Sequence, residues 1–284
     1  MKNNKLIVVL GPTASGKSSL AVRLAKEFNG EIVSADSRQI YKEMDIGTAK
    51  ITKEEMEGVP HYLIDVVRPD QGFTLAQFKK KAIEIIKDIQ KRGKLPFLVG
   101  GTGLYIQSVV DNLNIPEVKP NQKLREKLEK QTSEKLFNQL KKLDPESAKT
   151  IDGNNKRRII RALEVCLLTK KPFSEQRKKG RPLFDTLQIG LSVEHKILER
   201  RIKQRAEKMV RDGLVKEVEK LAKKYDPGLP AMSGIGYQLP ISKEAISLQT
   251  RQYARRQMTW FKRDKRIHWV KDYPEAKILV GKIL

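Results

Sequence analysis

Residues 6–18 read Leu6-Ile7-Val8-Val9-Leu10-Gly11-Pro12-Thr13-Ala14-Ser15-Gly16-Lys17-Ser18. The first five residues form a continuous apolar run typical of a buried strand, and the residues after Gly16 have helical spacing. A strand that ends at a glycine and continues as a helix turns several backbone N–H groups, and the positive end of the helix dipole, toward one concavity. The stretch therefore predicts a phosphate-binding loop.

The expected roles within this loop follow from its spacing. Lys17 is expected to reach the outer phosphates, and the Ser18 hydroxyl is expected to coordinate Mg²⁺. The predicted phosphate-binding residues are Gly11, Pro12, Thr13, Ala14, Ser15, Gly16, Lys17 and Ser18. The loop alone does not identify the compound that carries the phosphates or the reaction that it undergoes.

The charge balance points to a polyanionic partner. The chain has 284 residues, with 58 Lys and Arg against 34 Asp and Glu, for a formal net charge of +24. Such a surplus speeds encounters with polyanions, so nucleic acid is the leading partner and a merely lysine-rich surface is the alternative.

Cysteine usage and hydropathy exclude two other classes. Cys166 is the single cysteine and lies in an apolar run, so it predicts a core residue and excludes an intrachain disulfide. No run approaches the roughly 20 apolar residues of a membrane span, and the first residues have no apolar signal segment. We expect a cytoplasmic protein without a membrane partner.

Strand and helix patterns alternate along the first half of the chain. Amphipathic helices are predicted at residues 17–28 and 73–91. The predicted strands in this half are 6–10, 31–35, 62–67 and 95–99, and the sheet is predicted to resume at 187–193 after the segment described next. This alternation predicts a parallel sheet covered by helices on both faces, with functional residues at the carboxyl ends of the strands.

The pattern changes from about Asn114, where prolines are followed by charged, helical segments over residues 121–169. The predicted class is α/β: a P-loop parallel sheet flanked by helices, with a helical insertion domain. The predicted division assigns 1–113 and 187–284 to the catalytic core and 114–186 to the insertion.

A further predicted helix at residues 194–212 carries three cations along one edge of its apolar stripe, namely Arg201, Arg205 and Lys208. Two interpretations remain open for them. They form a solvated helix edge, or they meet bound phosphates from the side opposite the loop.

One acidic residue follows a predicted strand directly. Kinases and ATPases usually hold Mg²⁺ with a second carboxylate at a strand end, but the strand 95–99 is followed by Gly-Gly-Thr, which disfavours a hydrolase. Asp36 follows the strand 31–35 instead. It is a candidate functional carboxylate or, alternatively, a cap of the next turn with Arg38 as its partner.

Several motifs in a fixed order, taken together with the loop, resemble the tRNA dimethylallyltransferase family, also called tRNA delta(2)-isopentenylpyrophosphate transferases. The likeness covers nearly the whole chain. The motifs occupy residues 36–41, 47–50, 61–65, 100–105, 157–165, 234–237 and 250–261.

The resemblance implies a carbon transfer. The loop would bind dimethylallyl diphosphate, with Mg²⁺ as cofactor, and N6 of the adenosine 3′-adjacent to the anticodon in tRNA would attack the allyl group and release diphosphate. The adenine would have to leave its stack, and the anticodon stem-loop would be held by the basic insertion. A monomer is implied as well.

The resemblance also assigns residues. Asp36 matches the base that takes the N6 proton, and Thr102 matches a residue near the reacting centre. Either Arg201 or Arg205 matches the arginine on the diphosphate. The expected tRNA-binding residues are Asp36, Ser37, Arg38, Gln39, Thr102, Arg125, Arg157, Arg158 and Arg161. Tyr237 and Trp260 are expected either to stack on a loop base or, more simply, to pack in the core.

Two rival functions stay open: a small-molecule kinase with the same loop, and an RNA-binding module without activity. The sequence also departs from the family pattern, because residues 238–249 form a shorter segment than its members usually carry there. This shortening is expected to affect tRNA affinity or the packing of the last helices more than catalysis.

Overall fold

A computed structural model describes residues 4–116, 118–239 and 241–284. Its centre is a six-stranded sheet with the order β3-β2-β4-β1-β5-β6, in which every neighbouring pair is parallel. The strands are β1 Lys5–Leu10, β2 Gly30–Ser34, β3 His61–Tyr62, β4 Leu95–Gly100, β5 Asp185–Leu191 and β6 Ile267–Val270. The predicted fold class is confirmed.

Thirteen helices are present in the described residues. They are α1 Lys17–Glu27, α2 Lys53–Met56, α3 Leu75–Lys91, α4 Gly103–Val110, α5 Gln122–Glu129, α6 Ser133–Leu143, α7 Pro145–Thr150, α8 Lys156–Thr169, α9 Phe173–Gln176, α10 His195–Arg211, α11 Leu214–Lys224, α12 Lys243–Phe261 and α13 Tyr273–Ile283. A 3₁₀ turn covers Pro230–Ser233. Within the described ranges, no helix combines the length and apolar character that a bilayer span requires.

The sheet is buried on both faces, as its apolar strands predict. Leu6, Val8 and Leu10 face one apolar cluster with residues of α3, α4 and α12, and Ile7 and Val9 face another with residues of α1 and α13. Neighbouring residues of β1 therefore point to opposite faces, and none of these five side chains is exposed to solvent.

The chain divides into two compact units. One comprises the chain up to Val110 together with Leu183–Leu284, and it contains the sheet. The other, Asp111–Pro182, contains α5 to α9, and its described residues include no strand. These boundaries differ from the predicted 114–186 insertion by a few residues at each end.

The helical unit has an apolar core of its own. Leu136 and Leu140 of α6 pack there with Ile159 and Leu163 of α8. Cys166 is buried on the same helix, as predicted, and burial raises the pKa of its thiol.

The predicted strand 62–67 is wrong, because β3 ends at Tyr62. Leu63 and Asp65 adopt left-handed backbone conformations, with φ of 62° and 54°, which a strand does not accommodate. In contrast, β6 was not predicted. It has four residues, too few for a periodicity to stand out.

Candidate active site

The loop between β1 and α1 has the geometry that its glycines predict. Gly16 precedes α1 in the left-handed conformation, with φ of 96°, and no side chain caps the helix. The first N–H groups of α1, including those of Lys17 and Ser18, have no partner within the helix. They lie at the positive end of the helix dipole, where an anion is stabilised.

Two adjoining cavities open beside this loop and share Lys17, Ser18 and Arg205. A small cavity reaches toward the carboxyl ends of β2 and β4 and includes Thr13, Asp36, Tyr253 and Gln257 in its lining. A wider groove of about 730 Å³ extends between the loop and α10. The groove has the volume of a typical small-molecule site.

Lys17 is held in an environment that disfavours its charge. Burial lowers the pKa of its amine to about 8, although Asp36 raises it in part and Arg205 lowers it further. The amine donates to the Pro12 carbonyl at 3.3 Å. A bound anion would compensate this cation, because no described residue forms a salt bridge with it.

The two arginines of α10 occupy different positions. Arg205 lines both cavities, burial lowers the pKa of its guanidinium, and its Nη2 donates to the Thr48 carbonyl at 3.3 Å. Arg201 is exposed, lines the groove, and its Nη1 donates to the Ser15 carbonyl at 2.8 Å. Arg205 therefore lies between the two cavities, whereas Arg201 is fixed to the backbone of the loop by its hydrogen bond to Ser15. Lys208 also lines the groove, but its amine pairs with Asp212.

Asp36 lies two residues beyond β2 and lines the small cavity. Its Oδ1 accepts the N–H groups of Arg38 and Gln39 at 2.8 and 3.4 Å. Within the described residues both bonds use this one oxygen, so Oδ2 is left for a ligand. The carboxylate thus caps the turn, as the structural alternative predicted, and still presents an oxygen to the cavity.

Thr102 follows β4 and connects the two strand ends. Its Oγ1 accepts the Ser37 N–H at 3.1 Å, and its own N–H donates to the Ala35 carbonyl at 3.3 Å. Tyr253 of α12 lines the same small cavity, and burial raises the pKa of its hydroxyl to about 12. Thr102 thereby fixes the chain on either side of Asp36.

Arg38 and Gln39 use their side chains for internal contacts. The Arg38 Nη1 donates to the Pro230 and Ala231 carbonyls at 2.8 and 3.2 Å. The Gln39 amide nitrogen donates to the Ala49 carbonyl at 3.0 Å, and this side chain lines the small cavity. The predicted pairing of Arg38 with Asp36 therefore runs through the backbone N–H of Arg38.

The basic residues of the helical unit fall into two groups. Arg125 donates through Nε and Nη2 to the two oxygens of the buried Glu164, at 2.8 Å each, and Arg161 bonds to the same carboxylate. Although burial opposes ionisation, these bonds hold the pKa of Glu164 at about 2. Arg157 and Arg158, in the first turn of α8, are exposed to solvent. The four predicted tRNA-binding arginines of this unit therefore divide into two structural and two exposed residues.

The donor set beside the loop fits a hard cation that is held mainly by its ligand. Ser18 and Asp36 bring a hydroxyl and a carboxylate to the small cavity. The described residues contain no group of three His, Cys, Asp or Glu side chains arranged to hold a metal. Mg²⁺ suits such a site, because it commonly takes most of its ligands from water and substrate phosphates.

The two aromatic residues predicted as alternatives pack inside the fold. Tyr237 is buried, and its hydroxyl donates to Glu217 Oε1 at 2.6 Å. Trp260 is partly buried against the apolar cluster of α3 and α4, with its ring over Gly103. These positions agree with core residues.

Sequence reasoning missed Glu217, which holds a loop at the groove. Its Oε2 accepts the N–H groups of Asp45 and Ile46 at 3.0 and 2.8 Å, and its Oε1 accepts the N–H of Gly47 at 3.1 Å. The loop that it fixes supplies the Thr48 carbonyl to Arg205. The only signal in the sequence was the acidic position of Glu217 on an amphipathic helix, which is unspecific.

The fold and this site define a P-loop protein in which a carboxylate and an anion-binding loop face one cavity. A sequence model described as IPP transferase matches residues 39–264, and the chain belongs to this family. The tRNA dimethylallyltransferase of Thermoanaerobacter sp. (strain X514) is 48% identical over 306 aligned positions, which cover 99% of this chain and 97% of that protein.

Solved structures agree with this assignment. The full-length tRNA isopentenylpyrophosphate transferase of Bacillus halodurans has 37% identity and a TM-score of 0.72, with 99% of this chain and 95% of that chain covered. A eukaryotic dimethylallyltransferase acting on tRNA has 30% identity and a TM-score of 0.79, with 95% and 74% covered.

The Thermoanaerobacter alignment spans 306 positions, more than the 284 residues of this chain, so that relative has residues without a counterpart here. A shorter segment at 238–249 is one place for such a difference, and its location there stays a prediction.

Proposed function

We propose that this protein transfers the dimethylallyl group of dimethylallyl diphosphate to N6 of the adenosine 3′-adjacent to the anticodon in tRNA, and releases diphosphate. The observation that carries the proposal is the small cavity, which Asp36 lines together with Lys17 and Arg205. A carboxylate that accepts a proton and cations that receive a leaving diphosphate are the two groups that this transfer requires.

The proposed reaction divides between these groups. The N6 nitrogen attacks C1 of the allyl group while the bond between C1 and the diphosphate oxygen breaks, and the bonding electrons leave with that oxygen. The loop N–H groups, Lys17 and Arg205 stabilise the growing negative charge. The free Oδ2 of Asp36 accepts the proton that N6 loses.

In this proposal the Ser18 hydroxyl and oxygens of the diphosphate would hold Mg²⁺, which would neutralise part of the diphosphate charge. Arg201 contributes indirectly by holding the Ser15 carbonyl, so we assign the direct diphosphate contact to Arg205.

The tRNA is proposed to meet both units. Ser37, Arg38, Gln39 and Thr102 surround Asp36, and an extruded adenine would enter beside them. In the helical unit, the exposed Arg157 and Arg158 are the better candidates for phosphate contacts. Arg125 and Arg161 are proposed to act on tRNA only by maintaining the fold of that unit. A monomeric state and a cytoplasmic location stay predictions.

A kinase of the same architecture is the competing function. It would need a γ-phosphate donor and usually a second carboxylate for Mg²⁺ at a neighbouring strand end, but β4 ends in Gly100 and is followed by Gly101 and Thr102. The transferase names of the relatives also favour prenyl transfer.

Incubation of the purified protein with Mg²⁺, unmodified tRNA and radiolabelled dimethylallyl diphosphate, with and without ATP, tests the proposal. We expect label in the tRNA without ATP, located on the adenosine beside the anticodon. Loss of phosphate from ATP without label in the RNA would overturn the proposal in favour of a kinase or ATPase.

A further inference from the structure

Gln257 of α12 is a buried polar residue that makes two hydrogen bonds to distant parts of the chain. Its Oε1 accepts the backbone N–H of Thr13 at 2.8 Å, and its Nε2 donates to the Gly101 carbonyl at 2.8 Å. The side chain is 6% exposed and lines the small cavity. One amide therefore joins the phosphate loop to the end of β4.

The two partners fix the amide in a single orientation. A backbone N–H requires an acceptor and a carbonyl requires a donor, and a primary amide satisfies both with one planar group. A glutamate would satisfy Thr13 alone, and an apolar side chain would leave both buried backbone groups without a partner.

Gly101 provides the space for this bridge. A Cβ built at Gly101 would overlap the amide nitrogen of Gln257, whereas the nearest atom of any other residue, the Gly11 carbonyl oxygen, would be in ordinary contact at 3.5 Å. An alanine at Gly101 would therefore displace the flexible end of Gln257 and disturb little else.

The bridge connects the two halves of the proposed reaction. Thr13 belongs to the loop that would hold the diphosphate. Gly101 precedes Thr102, which bonds to Ser37 next to Asp36. In the proposed reaction, the distance between the leaving diphosphate and the carboxylate of Asp36 thus depends on Gln257, which itself contacts neither the diphosphate nor the proton.

We infer that Gln257 is a positioning residue that sets the phosphate loop relative to the strand ends carrying Asp36 and Thr102, and that Gly101 is a glycine because Gln257 occupies the space of its side chain. The inference rests on the proposed function. It concerns the rate of transfer and not the binding of tRNA, because Gln257 is buried and its two bonds are internal.

The principal test is Gln257→Met, which keeps the length of the side chain and removes both hydrogen bonds. We expect kcat for prenyl transfer to fall about 10- to 100-fold, since a shift of roughly 1 Å between reacting groups has an effect of this size. The Kd for tRNA is expected to stay unchanged. Gln252→Met, at an exposed glutamine of the same helix, is the matched control and should leave kcat unchanged.

Gly101→Ala tests the same bridge without altering Gln257. We expect it to lower kcat to a similar extent, and the double variant with Gln257→Met to be no slower than the slower single variant. Gly281→Ala, where a Cβ meets no atom within 4 Å, is the matched control. This non-additivity separates positioning from a general loss of stability, which would accumulate in the double variant.

The outcomes are distinguishable from failure of the proposed function. If the wild-type protein does not label tRNA, the proposed function fails. If it does, and folded Gln257→Met and Gly101→Ala proteins retain the wild-type kcat, or if their effects multiply, the positioning role of Gln257 is overturned. If Gln257→Met does not fold, the kcat of Gly101→Ala alone tests the inference: a lowered kcat supports it and a wild-type kcat overturns it.

Discussion

Cations at the phosphate loop and cations in the helical unit have opposite surroundings. Lys17 and Arg205 are desolvated, their pKa values are lowered, and neither forms a salt bridge with a described residue. Arg125 and Arg161, in contrast, share the buried carboxylate of Glu164. The difference separates cations that have no salt-bridge partner among the described residues from cations that the fold itself pairs, although the residue types are similar.

The largest expected effect is at Lys17. If its charge serves the leaving diphosphate, Lys17→Met should lower kcat/KM for prenyl transfer by about 10² to 10³-fold, on the scale of removing one preorganised electrostatic group. Because the amine is desolvated, its removal should not reduce the melting temperature. Normal transfer by Lys17→Met would show that Lys17 does not bind the diphosphate. The contrast between the two groups of cations would then have no functional meaning.

Asp36 is the next test. Asp36→Asn keeps an acceptor for the Arg38 and Gln39 N–H groups but removes the base, so turnover should fall by about 10²-fold or more. Binding of tRNA should be largely retained, as measured by filter binding at constant salt. Unchanged turnover would remove Asp36 from its proposed role.

Arg125 tests the other side of the comparison. Arg125→Met removes two of the hydrogen bonds to Glu164 and should reduce the free energy of unfolding by about 1–3 kcal/mol, measured by urea denaturation. At saturating tRNA and a temperature at which the variant is folded, its kcat should equal that of the wild type. A loss of tRNA affinity without loss of stability would instead give Arg125 a direct contact.

Acidification should act on the same pair. The pKa of Glu164 is lowered from 4.5 to about 2 in the folded protein, so its contribution to stability is complete above pH 4.5 and is lost as the pH falls toward 2. Chemical denaturation of wild type and Glu164→Gln across this range should show a pH-dependent difference in stability that disappears near pH 2. A stability difference between the two proteins that does not change with pH would contradict an ionised Glu164 paired with Arg125 and Arg161.

A smaller effect is expected from alkaline titration of Lys17. If the charged form binds diphosphate as proposed, the pKa of about 8 means that this form is depleted above that pH. Affinity for diphosphate should therefore fall with rising pH by up to about tenfold per pH unit. Isothermal titration calorimetry should detect this slope in the wild type, and Lys17→Met should lack it.

The sequence was sufficient for the parts of the site that are local. The loop 11–18 is one contiguous segment, and Asp36 and Thr102 follow buried strands whose carboxyl ends meet at one edge of the sheet. The predicted strand 62–67 was nevertheless wrong, since nothing in these residues indicated that Leu63 and Asp65 adopt left-handed backbone conformations.

Contacts between residues that are distant in the sequence could not be predicted from local sequence patterns. Gln257 lies 244 and 156 residues from its two partners, and a glutamine on an amphipathic helix predicts nothing specific. The lowered pKa of Lys17 depends on burial, and the pairing of Arg125 with Glu164 depends on how α5 and α8 pack. The basic motif of α8 therefore looked uniform in sequence, although Arg161 faces Glu164 while Arg157 and Arg158 face solvent.

The exposure of Arg157 and Arg158 leads to the prediction with the smallest expected effect, which concerns tRNA binding. Arg157→Gln and Arg158→Gln should each weaken tRNA binding without changing the melting temperature, because the exposed side chains leave no buried charge behind. If each neutralises one phosphate, the slope of log Kd against log salt should decrease by about 1 per substitution. Lys142→Gln, at another exposed cation of the same unit, is the control and should leave the slope unchanged. An equal effect at Lys142 would mean that the charge of +24 acts as a diffuse field and that α8 holds no particular phosphate.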